Sequence, residues 1–203
     1  MARPRGAEAA GRLAIRVDRR SLLRLAAGFA AGLVVWLVFA APYERSMAAA
    51  SEALLRAFES PPVTRLEASR GEIIVDRADF PEASPRPGLP AGDLHFNFVL
   101  LCALFAMTPR PLSPGNFGRF WAAAALLWVV HVLALVVQIE SVYATRLGPW
   151  SEAHYGAVAR NLWGGGFHFY LIAGRFAAPF ALWWALSGVP GQRSQVPGRG
   201  SKM

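Results

Sequence analysis

The chain has one cysteine, Cys102, and one lysine, Lys202, in 203 residues. A single thiol excludes an intrachain disulfide, so a part facing an oxidising compartment must fold without a covalent staple. The four histidines are scattered. With neither His-x-x-x-His nor Cys-x-x-Cys spacing, no metal site is expected, and nothing calls for a cofactor. Gly164-Gly165-Gly166 follows no strand, so it is not a phosphate loop. There are no internal repeats. Acids are few, 13 against 21 basic residues, giving a net charge of +8. The basic residues form no stripe interleaved with exposed aromatics, which argues against nucleic-acid binding. All but one of them are arginine, a bias suggestive of a GC-rich bacterial coding sequence.

What is abundant is apolar sequence, 54% of residues by count. It is gathered into four runs: Leu22–Ala41, Leu94–Thr108, Phe120–Ile139 and Phe167–Leu186. A helix needs about 20 apolar residues to span a bilayer, and all but the second run meet that length. The expected fold is an all-α membrane protein with four transmembrane helices and a small α+β outer domain. Membrane lipid is therefore the first expected partner.

Charge sets the expected orientation. Arg3, Arg5, Arg12, Arg16, Arg19, Arg20 and Arg24 flank the first run, and Arg110 and Arg119 lie between the second and third. Arg193, Arg199 and Lys202 follow the fourth. Positive loops stay cytoplasmic, so both termini are expected inside and the acid-containing loops outside. Asp18-Arg19-Arg20-Ser21 resembles a twin-arginine signal, but the apolar run after it exceeds the typical ~7–15 residues of a cleaved core. An uncleaved anchor in a bacterial inner membrane is the expectation.

The resulting division is a disordered basic cytoplasmic tail over 1–20, transmembrane helix one over 21–42 and an outer segment over 43–93. Helices two and three cover 94–109 and 118–139, an outer interfacial loop covers 140–165, helix four covers 166–188 and a cytoplasmic tail ends the chain over 189–203. Gly28 and Gly32 form a small-xxx-small face for packing inside the bundle. In the outer segment, Ser46 to Phe58 reads as an amphipathic helix with Ala50, Leu54, Leu55 and Phe58 on one face. Alternation over Val63–Ala68 and the Ile73-Ile74-Val75 run, joined by Ser69-Arg70-Gly71, read as a hairpin. Residues 80–92 read as irregular. Between helices three and four, Trp150 to Leu162 reads as an interfacial helix, with the three glycines turning the chain into helix four.

An ionised group inside a membrane run is a functional-site hypothesis by default. Arg175 is such a group, within Phe167–Leu186. Around the outer ends of the runs lie His95, Asn97, Gln138, Glu140, His154 and His168, which with Arg175 form the candidate polar cluster. His131 shares a face with Gln138, seven residues on.

From about Gly92 to Trp163 the layout resembles the exosortase/archaeosortase family of membrane sorting transpeptidases. In that family a catalytic cysteine opens a membrane helix at its outer end. A second helix ends in an Asn-x-x-Arg-like motif, and a histidine follows in the next outer loop. His154, in Glu152-Ala-His-Tyr-Gly, occupies that histidine's place. The region His95–Asn97 stands where the cysteine belongs, Leu135 replaces the asparagine, and Gln138 replaces the arginine. Cys102 lies about 10 Å below His95 at 1.5 Å per residue, so it is no substitute nucleophile. The resemblance implies a degenerate relative, of the kind called exosortase H-associated, with no catalytic residues. Its partner would be an exosortase or the sorted substrate protein. The competing expectations are a membrane peptidase or transpeptidase using His154 and Arg175 with Glu140, and a small transporter or channel subunit with Arg175 lining its path.

Overall fold

The computed structural model describes residues 19–80 and 86–187. The two expected tails, apart from residues 19 and 20, lie outside that range. The first element, α1, runs over Arg19–Phe58, 40 residues without a break. At 1.5 Å per residue it is about 60 Å long, twice a bilayer's hydrocarbon thickness. It therefore joins the expected first span to the expected outer amphipathic helix. Pro42 sits inside it and removes one backbone donor, but Trp36 before it and Tyr43 and Glu44 after it bond to His95 or His131, and the helix continues. The buried face of its C-terminal half is Glu44, Met47, Ala48, Ser51 and Leu55, which follows the 3.6-residue period. Of the expected face Ala50, Leu54, Leu55 and Phe58, Leu55 is buried in the core and Ala50 packs against it, whereas Phe58 is 85% exposed. Its N-terminal half presents Leu22, Leu23, Val34, Leu37, Val38 and Phe39 at 52–66% exposure.

Strands β1 (Thr64–Ser69) and β2 (Glu72–Arg77) pair antiparallel, with Ser69 opposite Glu72. Arg70 and Gly71 both have positive φ, 52° and 82°. This is the two-residue turn whose twist matches a hairpin's. A third strand, β3 (Gly88–Pro90), pairs antiparallel with β2 inside the stretch expected to be irregular. As an edge strand it tolerates Pro90, which has no N–H to offer. Ile73 and Val75 of β2 are fully buried, with Leu89 beside them.

Two short helices follow, α2 (Gly92–His95) and α3 (Asn97–Ala106), separated at Phe96. Then α4 runs over Pro114–Thr145, started by Ser113 and Pro114 and longer at both ends than the apolar run. A short α5 (Pro149–His154) precedes α6 (Ala157–Phe169), a π-helical turn at Tyr170–Gly174, and α7 (Arg175–Leu186). The three glycines 164–166 are helical. Gly164 and Gly166 face Thr145 and Val137 of α4, so small residues there serve close packing instead of a turn.

Arg19–Phe58, Pro114–Thr145 and Ala157–Leu186 are long and apolar enough to cross a membrane, and Gly92–Ala106 is a shorter apolar helix. Their contacts define an alternating bundle. On α1, Gly28 lies against Ala106, Gly32 against Cys102 and Trp36 near Gly92, so α1 and α3 run antiparallel. A Cβ at Gly28 would come within 2.3 Å of the Ala106 Cβ. The pair of glycines is therefore what lets the two backbones approach. Tyr43 meets His131 and Ser51 meets Val132, so α4 runs parallel to α1.

Candidate functional site

Pro179 lacks the N–H that would bond the Arg175 carbonyl four residues earlier. That carbonyl accepts instead from Asn97 Nδ2 at 2.7 Å. The donation orients the Asn97 amide, so Oδ1 faces His131 Nε2 at 2.7 Å. His131 Nε2–H donates to it, and Nδ1 then accepts from the Tyr43 hydroxyl at 2.6 Å. A single directional chain of hydrogen bonds thus crosses the bundle from α1 through α4 and α3 to α7.

A second chain lies beside it. Trp36 Nε1 donates to His95 Nδ1 at 2.8 Å, and His95 Nε2 contacts Glu44 Oε1 at 3.3 Å. The Tyr43 ring packs between the histidines, 5.3 Å from His95 and 5.8 Å from His131 by centroid. His95 and His131 are almost completely buried, at 1% and 0% exposure. At the outer end of this region Tyr170 donates to the Leu94 carbonyl at 2.9 Å.

Of the expected cluster, the structure brings together His95, Asn97 and Arg175, the last through its carbonyl. Gln138 is buried on α4 and its Oε1 has no hydrogen-bond partner. Glu140 accepts from Tyr155 at 2.9 Å. His154 bonds the Trp150 carbonyl at 2.8 Å and stacks on the Trp150 ring, 4.2 Å between centroids. His168 is exposed and bonds the Gly164 carbonyl. His154 and His168 are thus engaged locally, one helical turn from their partners.

Sequence reasoning did not assign Trp36, Tyr43 and Glu44 to the site. Trp36 and Tyr43 are seven residues apart and therefore on one face, but Trp36 reads as one more apolar residue of the run Leu22–Ala41 and Tyr43 as its flank. The spacing of Pro179 from Arg175 was the available sign that a carbonyl would need an outside donor.

The sheet region has a separate polar centre on Arg77. Its Nη1 bonds Glu59 at 3.0 Å and its Nε bonds Asp79 at 2.8 Å. The guanidinium also lies over the rings of Tyr143, at 4.8 Å, and Trp150, at 5.3 Å. Glu59 accepts further from the backbone N–H groups of Val63 and Thr64 and from the Thr64 hydroxyl. Burial opposes ionisation of Glu59, but these hydrogen bonds and Arg77 together hold it below the ordinary carboxylate range. The Arg77 hydrogen bond does the same for Asp79. Thr64 contacts the Tyr143 hydroxyl at 3.0 Å, which ties the sheet to the outer end of α4.

The hydrogen-bond partners of the four histidines include no serine, threonine or cysteine. Cys102 packs against Gly32 at the α1–α3 contact. Among the described residues, no group of three or more His, Cys, Asp or Glu is placed to hold a metal. Comparison with known family models, curated proteins and solved structures finds no match.

Proposed function

We propose that this chain is a non-enzymatic, four-span membrane protein with both termini cytoplasmic, acting as an accessory subunit of an envelope protein-sorting system in a bacterial inner membrane. The observation that carries the non-enzymatic reading is the closure of the buried polar chains. Tyr43, His131, Asn97 and the Arg175 carbonyl satisfy one another in order. A catalytic base would instead point at a nucleophile within hydrogen-bond reach. In this position the histidines cross-link helices, a role that fits buried polar groups in a bundle.

The alternation of directions in the bundle supports a count of four spans, with Gly92–Ala106 as the short one. Arg-rich flanks at one end give the orientation. The outer half of α1, the sheet and α5 form the surface available to a partner. The partner class, a sorting transpeptidase or its substrate, rests on the order of segments shared with the exosortase layout.

Deletion of the gene in its host should leave sorted envelope proteins with their C-terminal sorting segments uncleaved. His154→Ala and Cys102→Ala should restore processing at wild-type level, and deletion of residues 64–77 should not. Loss of processing by His154→Ala or Cys102→Ala at unchanged abundance would overturn the non-enzymatic reading. Normal processing in the deletion strain would overturn the sorting role.

A further inference from the structure

A cavity of about 590 Å³ opens between α1, the α2–α3 segment and α7. Its walls carry two opposite charges, Asp93 and Arg175, with Asn97 between them in sequence and Phe29, Leu100 and Phe176 as apolar lining. Asp93 is exposed and Arg175 is half-buried. Neither side chain forms an ion pair with a described residue. Arg175 Nε is buried without a hydrogen-bond partner, and the guanidinium rests 4.8 Å over the Phe176 ring.

The backbone supports this placement. The π-helical turn at Tyr170–Gly174 ends immediately before Arg175, and such turns re-aim the residues that follow them, often at functional sites. Phe29 and Trp36 are seven residues apart on α1, about 10 Å along its axis at 1.5 Å per residue. The cavity therefore extends along the bundle, with Gly92 and Asp93 at one end and Phe29 and Leu100 toward the other. Charges of both signs in one cavity with aromatic and aliphatic walls match the two parts of a phospholipid.

We infer that this cavity is a binding site for a zwitterionic phospholipid with a primary ammonium headgroup, its phosphate held by Arg175, its ammonium by Asp93 and one acyl chain against Phe29, Leu100 and Phe176. Arg suits a phosphate because its planar N–H groups pair with two oxygens at once. A primary ammonium donates hydrogen bonds to the Asp93 carboxylate, which a quaternary choline head cannot do. A head carrying only negative charge would place its surplus against Asp93. The inference rests on the membrane-spanning reading above, and goes beyond it in naming a site and its ligand.

The test is native mass spectrometry of the full chain released from mild detergent containing equal amounts of phosphatidylethanolamine, phosphatidylcholine and phosphatidylglycerol. The wild type should retain phosphatidylethanolamine preferentially. Arg175→Gln should reduce that retention about tenfold, the scale of one charge-assisted hydrogen bond. Asp93→Asn alters an exposed side chain and leaves packing intact. It should abolish the preference over phosphatidylcholine while keeping overall retention. Equal retention of the three lipids by the wild type, preference for phosphatidylglycerol, or unchanged selectivity in either variant would overturn the site. Carbonate extraction of the wild type from membranes would overturn the membrane reading and the site with it. Resistance to extraction without lipid selectivity would overturn the site alone.

Discussion

Asn97 shows how one side chain can serve two helices. It donates to the Arg175 carbonyl that Pro179 leaves without an intrahelical donor, and it accepts from His131. If Pro179 creates the need, restoring the N–H should relieve it. Asn97→Ala should therefore cost less in a Pro179→Ala background than in the wild type. Thermal unfolding in detergent micelles should give a coupling of about 0.5–1 kcal/mol between the two positions, in the range for residues sharing a partner. Strict additivity would remove the role assigned to Asn97. His131→Leu should be more damaging, because it strands the Tyr43 hydroxyl and Asn97 Oδ1 together. Each unsatisfied buried group costs about 1–3 kcal/mol, so a drop in Tm well beyond that of Val132→Ala is expected. Arg175 as a charge inside an apolar run was legible in the sequence, and so were His95 and Asn97 as polar residues at a helix opening. Their partners were not, because hydrogen bonds between helices depend on rotation about helix axes, which periodicity leaves open for a run that is apolar all round.

At the scale of elements, the α1–α3 contact rests on glycine. Gly28→Val should destabilise the bundle, since even its Cβ would collide with Ala106 and the Cys102 carbonyl. Gly118 in α4 has nothing within 4 Å of its would-be Cβ. Gly118→Ala should be neutral or raise stability by about 0.5–1 kcal/mol through helix propensity. A matched pair of thermal scans separates the two cases. The sheet offers a pH test. Glu59 and Asp79 titrate below their ordinary range when folded. Their contribution is complete above the unfolded-state values, near 4, and is lost as pH falls through the folded values. Amide exchange across β1 and β2 should accelerate on acidification below about pH 4, and Arg77→Met should weaken that acid dependence. The hairpin was readable because alternation and a two-residue turn are local signals. Strand β3 was not, since three residues that follow Pro87 and end in Pro90 pair only once β2 presents a free edge. The continuity of α1 through Pro42 was likewise hidden. A proline marks a helix boundary only when tertiary contacts do not override it, and here Tyr43 and Glu44 are both held by histidines of neighbouring helices.

For the whole molecule, the apolar runs identified three long helices and one short one, and the structure assembles them with alternating direction around shared histidine contacts. The length of the third long helix was underestimated because Gly164-Gly165-Gly166 reads as a break in isolation. Against α4, the same residues admit close packing of two helices. Charge asymmetry supports the proposed side of the membrane for each end. In the proposed topology the sheet and the C-terminal half of α1 stand on one side of a membrane and the α3–α4 connection on the other. Single cysteines at Ala78 and Gly115, introduced into a Cys102→Ala chain, test it directly. In intact spheroplasts, a membrane-impermeant maleimide should label the cysteine at 78 and spare the one at 115 until the membrane is opened. Labelling at 115 before opening, or labelling of neither site in membranes and both in a soluble fraction, would contradict the account.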